Sequence, residues 1–286
     1  MDPVQITLAS FELLLLGAGA FLLVRIFNSP ERRQAWFAAD RIPTWPMTGH
    51  EVTLLVVLIF LCGFAGQSLS VWLLGGAIKH SVSKAGLEVM VYGGAFHGCA
   101  LLGWPLFRAL RGWLHADYGA LPAAAAPAPR LAIGELLRTA ATGLVASLPA
   151  IVLVSHGWEL VLERLGLPAG PQDLVEIFAK AGSPLVIAGM LFVACVLAPV
   201  NEELLFRAGI FRFLRQRFGR VTGFAVSSVC FGALHGNWAG FLPLVLLGAA
   251  LALVYEKTGD IRVSMALHAL FNLNTVLIVL SGLPAT

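Results

Sequence analysis

Apolar residues run along this chain in blocks, neither alternating nor repeating on one helical face. Eight blocks read as membrane spans: residues 8–27, 52–74, 87–107, 131–155, 184–206, 221–235, 241–255 and 261–282. A helix rises about 1.5 Å per residue, so roughly 20 residues cross about 30 Å of hydrocarbon. The sixth and seventh blocks are shortest and are expected to tilt little or to lie partly below the surface. Residues 121–129 form an Ala/Pro stretch whose prolines at 122, 127 and 129 disfavour a helix and mark a linker. The pattern predicts an all-α polytopic membrane helix bundle of about eight transmembrane helices. It divides at the linker into residues 1–130, with three spans, and a core over 131–286.

Composition makes lipid the solvent. Apolar residues make up 58% of the chain, charged residues only 12%, and the mean hydropathy is +0.83. Soluble domains carry about 25% charged residues. A net charge of +3 is too small to point to nucleic acid. Cys62, Cys99, Cys195 and Cys230 stand singly inside apolar runs and read as small buried residues, not as a disulfide framework. Residues 1–7 contain Asp2 and no basic segment, so the first block is expected to remain as a span. The excess of Arg over Lys, with much Ala and Gly, suggests a bacterial source and thus the inner cell membrane.

Charge placement supports the count. The odd-numbered loops hold Arg25, Arg32, Arg33, Arg41, Arg108, Arg111, Arg130, Arg212, Arg215, Arg217, Arg220, Lys257 and Arg262, whereas the even loops hold only Lys79, Lys84, Arg164 and Lys180. Cytoplasmic loops are the Lys/Arg-rich ones, which places both termini outside the cytoplasm.

Ionisable groups inside spans cost about 2.5–3.5 kcal/mol each on insertion scales, so each needs a reason. They concentrate in three places: Glu202-Glu203-x-x-x-Arg207 ending the fifth span, Phe231-x-x-x-His235 ending the sixth, and His268-x-x-x-Asn272 in the eighth. Glu203 and Arg207, four apart, share a helix face and form a natural ion pair. Glu202 is rotated by about 100° and is the spare carboxylate. Measured from Arg212, Glu202 lies about 15 Å deep; from Arg262, His268 lies about 9 Å deep and Asn272 about 15 Å. His235, measured from Arg220, comes out nearer 22 Å, a mismatch that a sixth helix starting near Gly223 would remove.

A carboxylate beside a neutral imidazole polarises water for attack on a carbonyl, and His with an Asn amide donates to the developing oxyanion. Two His and a Glu (Glu202, His235, His268) are also a possible zinc set. No HExxH motif occurs, and His50-Glu51 lacks the second His. The serine-protease GxSG and aspartyl-protease GxGD motifs are missing, with Thr258-Gly259-Asp260 only a partial match. The other histidines (His50, His80, His97, His115, His156) read as interface residues at span ends or loops. His97, with Tyr92 and Glu88, is also a candidate to line a substrate cleft.

Taken as a set, the three motifs resemble the CPBP family of intramembrane proteases, which includes the type II CAAX prenyl proteases and the bacterial Abi proteins. That family shows EExxxR, FxxxH and HxxxN on successive helices. The resemblance spans about residues 131–282 and departs at Ala208, where Gly is common, with Gly209 next. It implies an intramembrane endopeptidase acting on a membrane-embedded or membrane-anchored protein or peptide. Glu202 is then the general base with His235, and His268 with Asn272 are the oxyanion donors. Glu203, Arg207 and Phe231 are structural at the site, and a site without cofactor is favoured over one holding zinc. Competing readings are a non-catalytic immunity or adaptor protein on the same scaffold and a zinc-dependent protease. A transporter is disfavoured because no broken-helix pair recurs in matching halves. Reporter fusions test the topology: one at Thr286 is expected outside the cytoplasm and one at Arg217 inside. A cytoplasmic Thr286 overturns the eight-span scheme.

Overall fold

The structure is a computed structural model describing residues 2–37, 41–44, 46–115, 130–168, 177–178 and 181–281; the predicted linker lies outside them. Among the described residues every regular element is helical: α1 (Pro3–Phe27), α2 (Pro30–Phe37), α3 (Gly49–Lys79), α4 (Lys84–His115), α5 (Ile133–Leu165), α6 (Pro184–Phe218), α7 (Arg220–Leu234), α8 (Trp238–Thr258) and α9 (Ile261–Leu280). Seven of them, all but α2 and α7, are long and apolar enough to cross a bilayer. The chain is a multi-pass membrane protein built as a helical bundle.

The sixth block, expected to be one of the two shortest, is short. Helix α7 has 15 residues, about 22 Å at 1.5 Å per residue, which falls short of about 30 Å of hydrocarbon. Glycines bound it, Gly219 at φ 92° and Gly236 at φ 62°, conformations an L side chain rarely adopts. The seventh span is longer than expected, 21 residues over Trp238–Thr258, because Asn237 caps it by accepting from the Gly240 amide at 2.7 Å. The segment after the first span is the short helix α2, with no buried residues.

The loops rich in basic residues meet at one end. The Arg41 amide donates to the Glu256 carbonyl, and Arg212 donates to the Pro43 carbonyl at 2.8 Å. The buried Glu256 carboxylate accepts from Arg215 at 2.9 Å and from Arg220 at 2.7 Å. Asp260, the N-cap of α9, accepts from Arg262 and from the Leu131 amide, so these hydrogen bonds hold its carboxyl below the usual carboxylate range. Glu51 binds Arg111 at 2.5 Å and His115 at 3.0 Å. Four connections far apart in sequence are thereby tied together on the side predicted to be cytoplasmic.

One core joins the N-terminal helices to the rest. Leu55, Ile59 and Phe107 pack in the same cluster as Leu144, Phe231, Leu247 and Leu267. Lipid tails are as apolar as leucine, so helices in a bilayer associate through close fit at small residues. Gly232 on α7 faces the Phe241 carbonyl and Val245 of α8, and Gly248 on α8 faces Ser228 of α7. A Cβ on Gly232 would stand 2.7 Å from that carbonyl oxygen. Gly232→Ala is therefore expected to destabilise by about 1–3 kcal/mol, read as a lower thermal midpoint in detergent. An unchanged midpoint would mean that α7 and α8 are not tightly seated.

Candidate active site

The site is built on α6, which departs from regular helix on both sides of its two glutamates. Residues Val193–Leu197 and Leu204–Phe211 form wide π turns, a geometry frequent at functional sites. Proline accounts for the first. In the wider register the Ala198 amide reaches back five residues to the Val193 carbonyl. The next amide would serve Ala194, but residue 199 is proline and has no N–H. The Ala194 carbonyl instead accepts from Asn272 Nδ2 of α9 at 2.7 Å. One of the two amide protons of Asn272 is thus spent joining α9 to α6.

Glu203 and Arg207 sit at the centre, 0% and 1% exposed. Their ion pair closes at 3.0 Å, and Arg207 Nη2 donates to the Gly248 carbonyl at 2.9 Å. The guanidinium lies 4.4 Å from the Phe231 ring centre, so the ring face stabilises the buried cation. Glu203 also accepts from His268 Nδ1 at 3.0 Å and from the Ser264 hydroxyl. Four helices converge on one charge pair.

Glu202 faces a different space, as its rotation predicts. Its Oε2 lies 3.9 Å from His235 Nε2 and 3.9 Å from His268 Nε2, and makes no hydrogen bond among the described residues. Each imidazole is oriented from behind. His235 Nδ1 donates to the Phe231 carbonyl at 2.8 Å, and His268 Nδ1 donates to Glu203. A carbonyl and a carboxylate only accept, so both protons sit on Nδ1 in the neutral rings, and both Nε2 atoms present lone pairs. Three acceptors therefore converge on one pocket, which calls for a proton-bearing guest.

Zinc would also satisfy acceptors, and the residue types suit it. A tetrahedral site with bonds near 2.0–2.1 Å has donor separations of about 3.3 Å. The 3.9 Å gaps are wider. Among the described residues no group of three His, Cys, Asp or Glu is gathered closely enough to hold a metal. As placed, the donors do not fit.

The depth mismatch for His235 resolves at the other reference point. Helix α6 continues past Arg212 to Phe218, so Glu202 lies about 24 Å from the turn, matching about 22 Å for His235. Helix α7 has no delayed start. Three contributors were not singled out as part of the site. Ser264 lies one turn before His268, so a stripe at 264, 268 and 272 was legible as a polar face. Asn201 is buried, with Nδ2 3.4 Å from His97 Nδ1, and the Gly248 carbonyl holds Arg207. His97, half-buried, thus sits against α6. Of its two companions, Glu88 pairs with Lys84 at 3.8 Å.

Removing one member of the central pair strands a charge. Arg207→Ala or Glu203→Ala is expected to cost about 3–5 kcal/mol, seen as lost monodisperse protein in detergent. The paired replacement Glu203→Gln/Arg207→Met is expected to recover part of that yield. Single variants as stable as the parent would remove the bracing role.

Residues 184–274 match the family model described as "Type II CAAX prenyl endopeptidase Rce1-like". The chain is 31% identical over 146 residues to an Escherichia coli "Uncharacterized 24.3 kDa protein", covering 49% of this chain and 65% of that one. It is 30% identical over 83 residues to the Bacillus subtilis (strain 168) protein named "Putative membrane peptidase YdiL", covering 29% and 34%. A third relative is the "UPF0177 protein YxdF" of Lactococcus lactis, 31% identical over 94 residues, covering 30% and 51%. The chain thus spans less than two thirds of each relative's length, and no solved structure matches it. The resemblance read from the three motifs is borne out, and the segment that builds most of the site, residues 184–274, matches the Rce1-like type II CAAX prenyl endopeptidases.

Proposed function

We propose that this protein is an intramembrane endopeptidase of the inner cell membrane, hydrolysing a peptide bond in a membrane-embedded or membrane-anchored protein or peptide. The observation that carries this reading is the convergence of three acceptors: Glu202 Oε2 and the Nε2 atoms of His235 and His268. A water molecule has two O–H groups to offer such a pocket, one to the carboxylate and one to an imidazole. Seated there, it is polarised for attack on a carbonyl. The match to the endopeptidase family and the peptidase name of one relative support the same class.

In this mechanism Glu202 takes a proton as the water oxygen bonds to the carbonyl carbon, and the carbonyl oxygen becomes an oxyanion. A proton taken up from solvent makes His268 an imidazolium whose two nitrogens both donate, Nδ1 to Glu203 and Nε2 to that charge, while Glu202 and His235 hold the water. The remaining amide proton of Asn272 is the second donor. Collapse breaks the C–N bond, and Glu202 returns its proton to the departing amine. His235, fixed by the Phe231 carbonyl, holds the water in register. Glu203 and Arg207 touch neither water nor substrate in this scheme.

Glu202→Gln keeps the volume and removes the base, so cleavage is expected to fall by about 10²-fold or more with folding unchanged. The assay is cleavage of a membrane-embedded substrate by the purified parent and variant, with and without chelator. Full activity in Glu202→Gln sinks the mechanism. Chelator-sensitive activity with about one bound metal per chain would make Glu202, His235 and His268 ligands. An inactive parent would favour the non-catalytic immunity or adaptor reading.

A further inference from the structure

Behind the α7–α8 pair lies a cavity of about 700 Å³, within the ~300–1,000 Å³ range of sites that hold small ligands. Its origin is in the sequence. Helix α5 presents Gly143, Ala146, Ser147 and Ala150 to it, and α8 presents Ala249 and Ala250. Small residues normally let membrane helices close upon one another. Here α1 meets α5 closely at Gly19, which sits against the Val145 carbonyl and the Pro149 ring. The cavity lies beyond that contact, lined on the α1 side by Leu23, Ile26 and Phe27. Nearly everything lining it is apolar.

The end of the cavity is of the opposite character. Trp36 and Phe37 of α2 line it there, as does Arg220. Arg32 and Arg33 lie one helical turn before those two aromatic residues and are exposed. Arg25 ends the neighbouring helix, and Lys257 Nζ rests 3.6 Å from the Trp36 ring centre. The carboxylates nearby are Glu31, and Glu256, which is already held by Arg215 and Arg220. An apolar groove with a cationic rim at one end suits one kind of molecule: long apolar chains ending in an anion.

We propose that this cavity is a binding site for an anionic phospholipid, its acyl chain between α1, α5 and α8 and its phosphate against Arg32, Arg33 and the neighbouring cations. The site lies apart from the Glu202 pocket, and its floor is functional ground. Ser228 lines the cavity and packs on Gly248, whose carbonyl holds Arg207. A bound chain therefore supports the outer side of the contact that braces the charge pair.

The experiment uses the full chain in detergent micelles, titrated with phosphatidylglycerol or phosphatidylcholine brominated on the acyl chain. Quenching of Trp36 is read as the difference between the parent and Trp36→Phe. The parent is expected to reach half-quenching at a roughly tenfold lower fraction of phosphatidylglycerol than of phosphatidylcholine, as clustered Lys and Arg near a headgroup favour anions. Arg32→Glu/Arg33→Glu should erase that preference. Both residues are exposed, so this variant tests the rim without disturbing the core. Ala250→Phe should abolish saturable quenching by both lipids, with its monodispersity checked against the parent. Equal half-quenching by the two lipids in the parent overturns the proposal, as does a preference that survives the double charge reversal. Millimolar inorganic phosphate should leave the quenching unchanged; displacement by it would show a phosphate site with no lipid requirement and would also overturn the proposal.

Discussion

A carboxylate and a guanidinium with no access to water each carry a solvation penalty of several kcal/mol, repaid only where geometry and further hydrogen bonds are nearly complete. Glu203 and Arg207 are in that position, and the surrounding architecture follows from satisfying them. Helix α6 supplies both charges, α8 offers the Gly248 carbonyl, α7 turns the face of Phe231 to the cation, and α9 brings Ser264 and His268. Shifting any one of the four helices by a turn leaves part of the pair unsatisfied. The apolar core is permissive by comparison, because leucine against lipid and leucine against leucine differ little in free energy. The buried charges specify which of many greasy packings is adopted.

The Glu202 side of the site inherits its order from this pair. His268 is held in one tautomer because its Nδ1 faces Glu203, and that choice exposes a lone pair towards Glu202. His235 reaches the same state through a backbone carbonyl at the end of α7. Adjacent glutamates on one helix thus divide the labour: one is immobilised among donors, while the other is left with an unmet acceptor beside two imidazoles.

How much of this was legible follows from what each feature depends on. The spans and the Glu203–Arg207 pairing were readable because hydrophobic length and four-residue spacing are local properties. The shortness of α7 was legible too, because the sixth apolar block is itself only 15 residues long. Asn272 carries an amide that reads as a free donor. Its bond to Ala194 arises from a wide turn and a proline on a helix 78 residues away in sequence, which no periodicity reveals. His97 belongs to a helix outside the motif-bearing segment, so only the folded chain places it against Asn201. The wide turns themselves break the 3.6-residue rule on which face assignments rest.

The 15 residues of α7 have one more effect, on the bilayer. A helix of that length spans about three quarters of the hydrocarbon layer, and membranes meet such a mismatch by locally thinning or by drawing headgroups inward. The loop at Gly236 and Asn237 follows His235 at that end of the helix. Polar backbone within a membrane is tolerated where it borders protein or water. Such thinning would bring the aqueous phase towards Glu202 from the side opposite the arginine-rich end, so that the shape of the lipid film around the protein would bear on how water reaches that carboxylate.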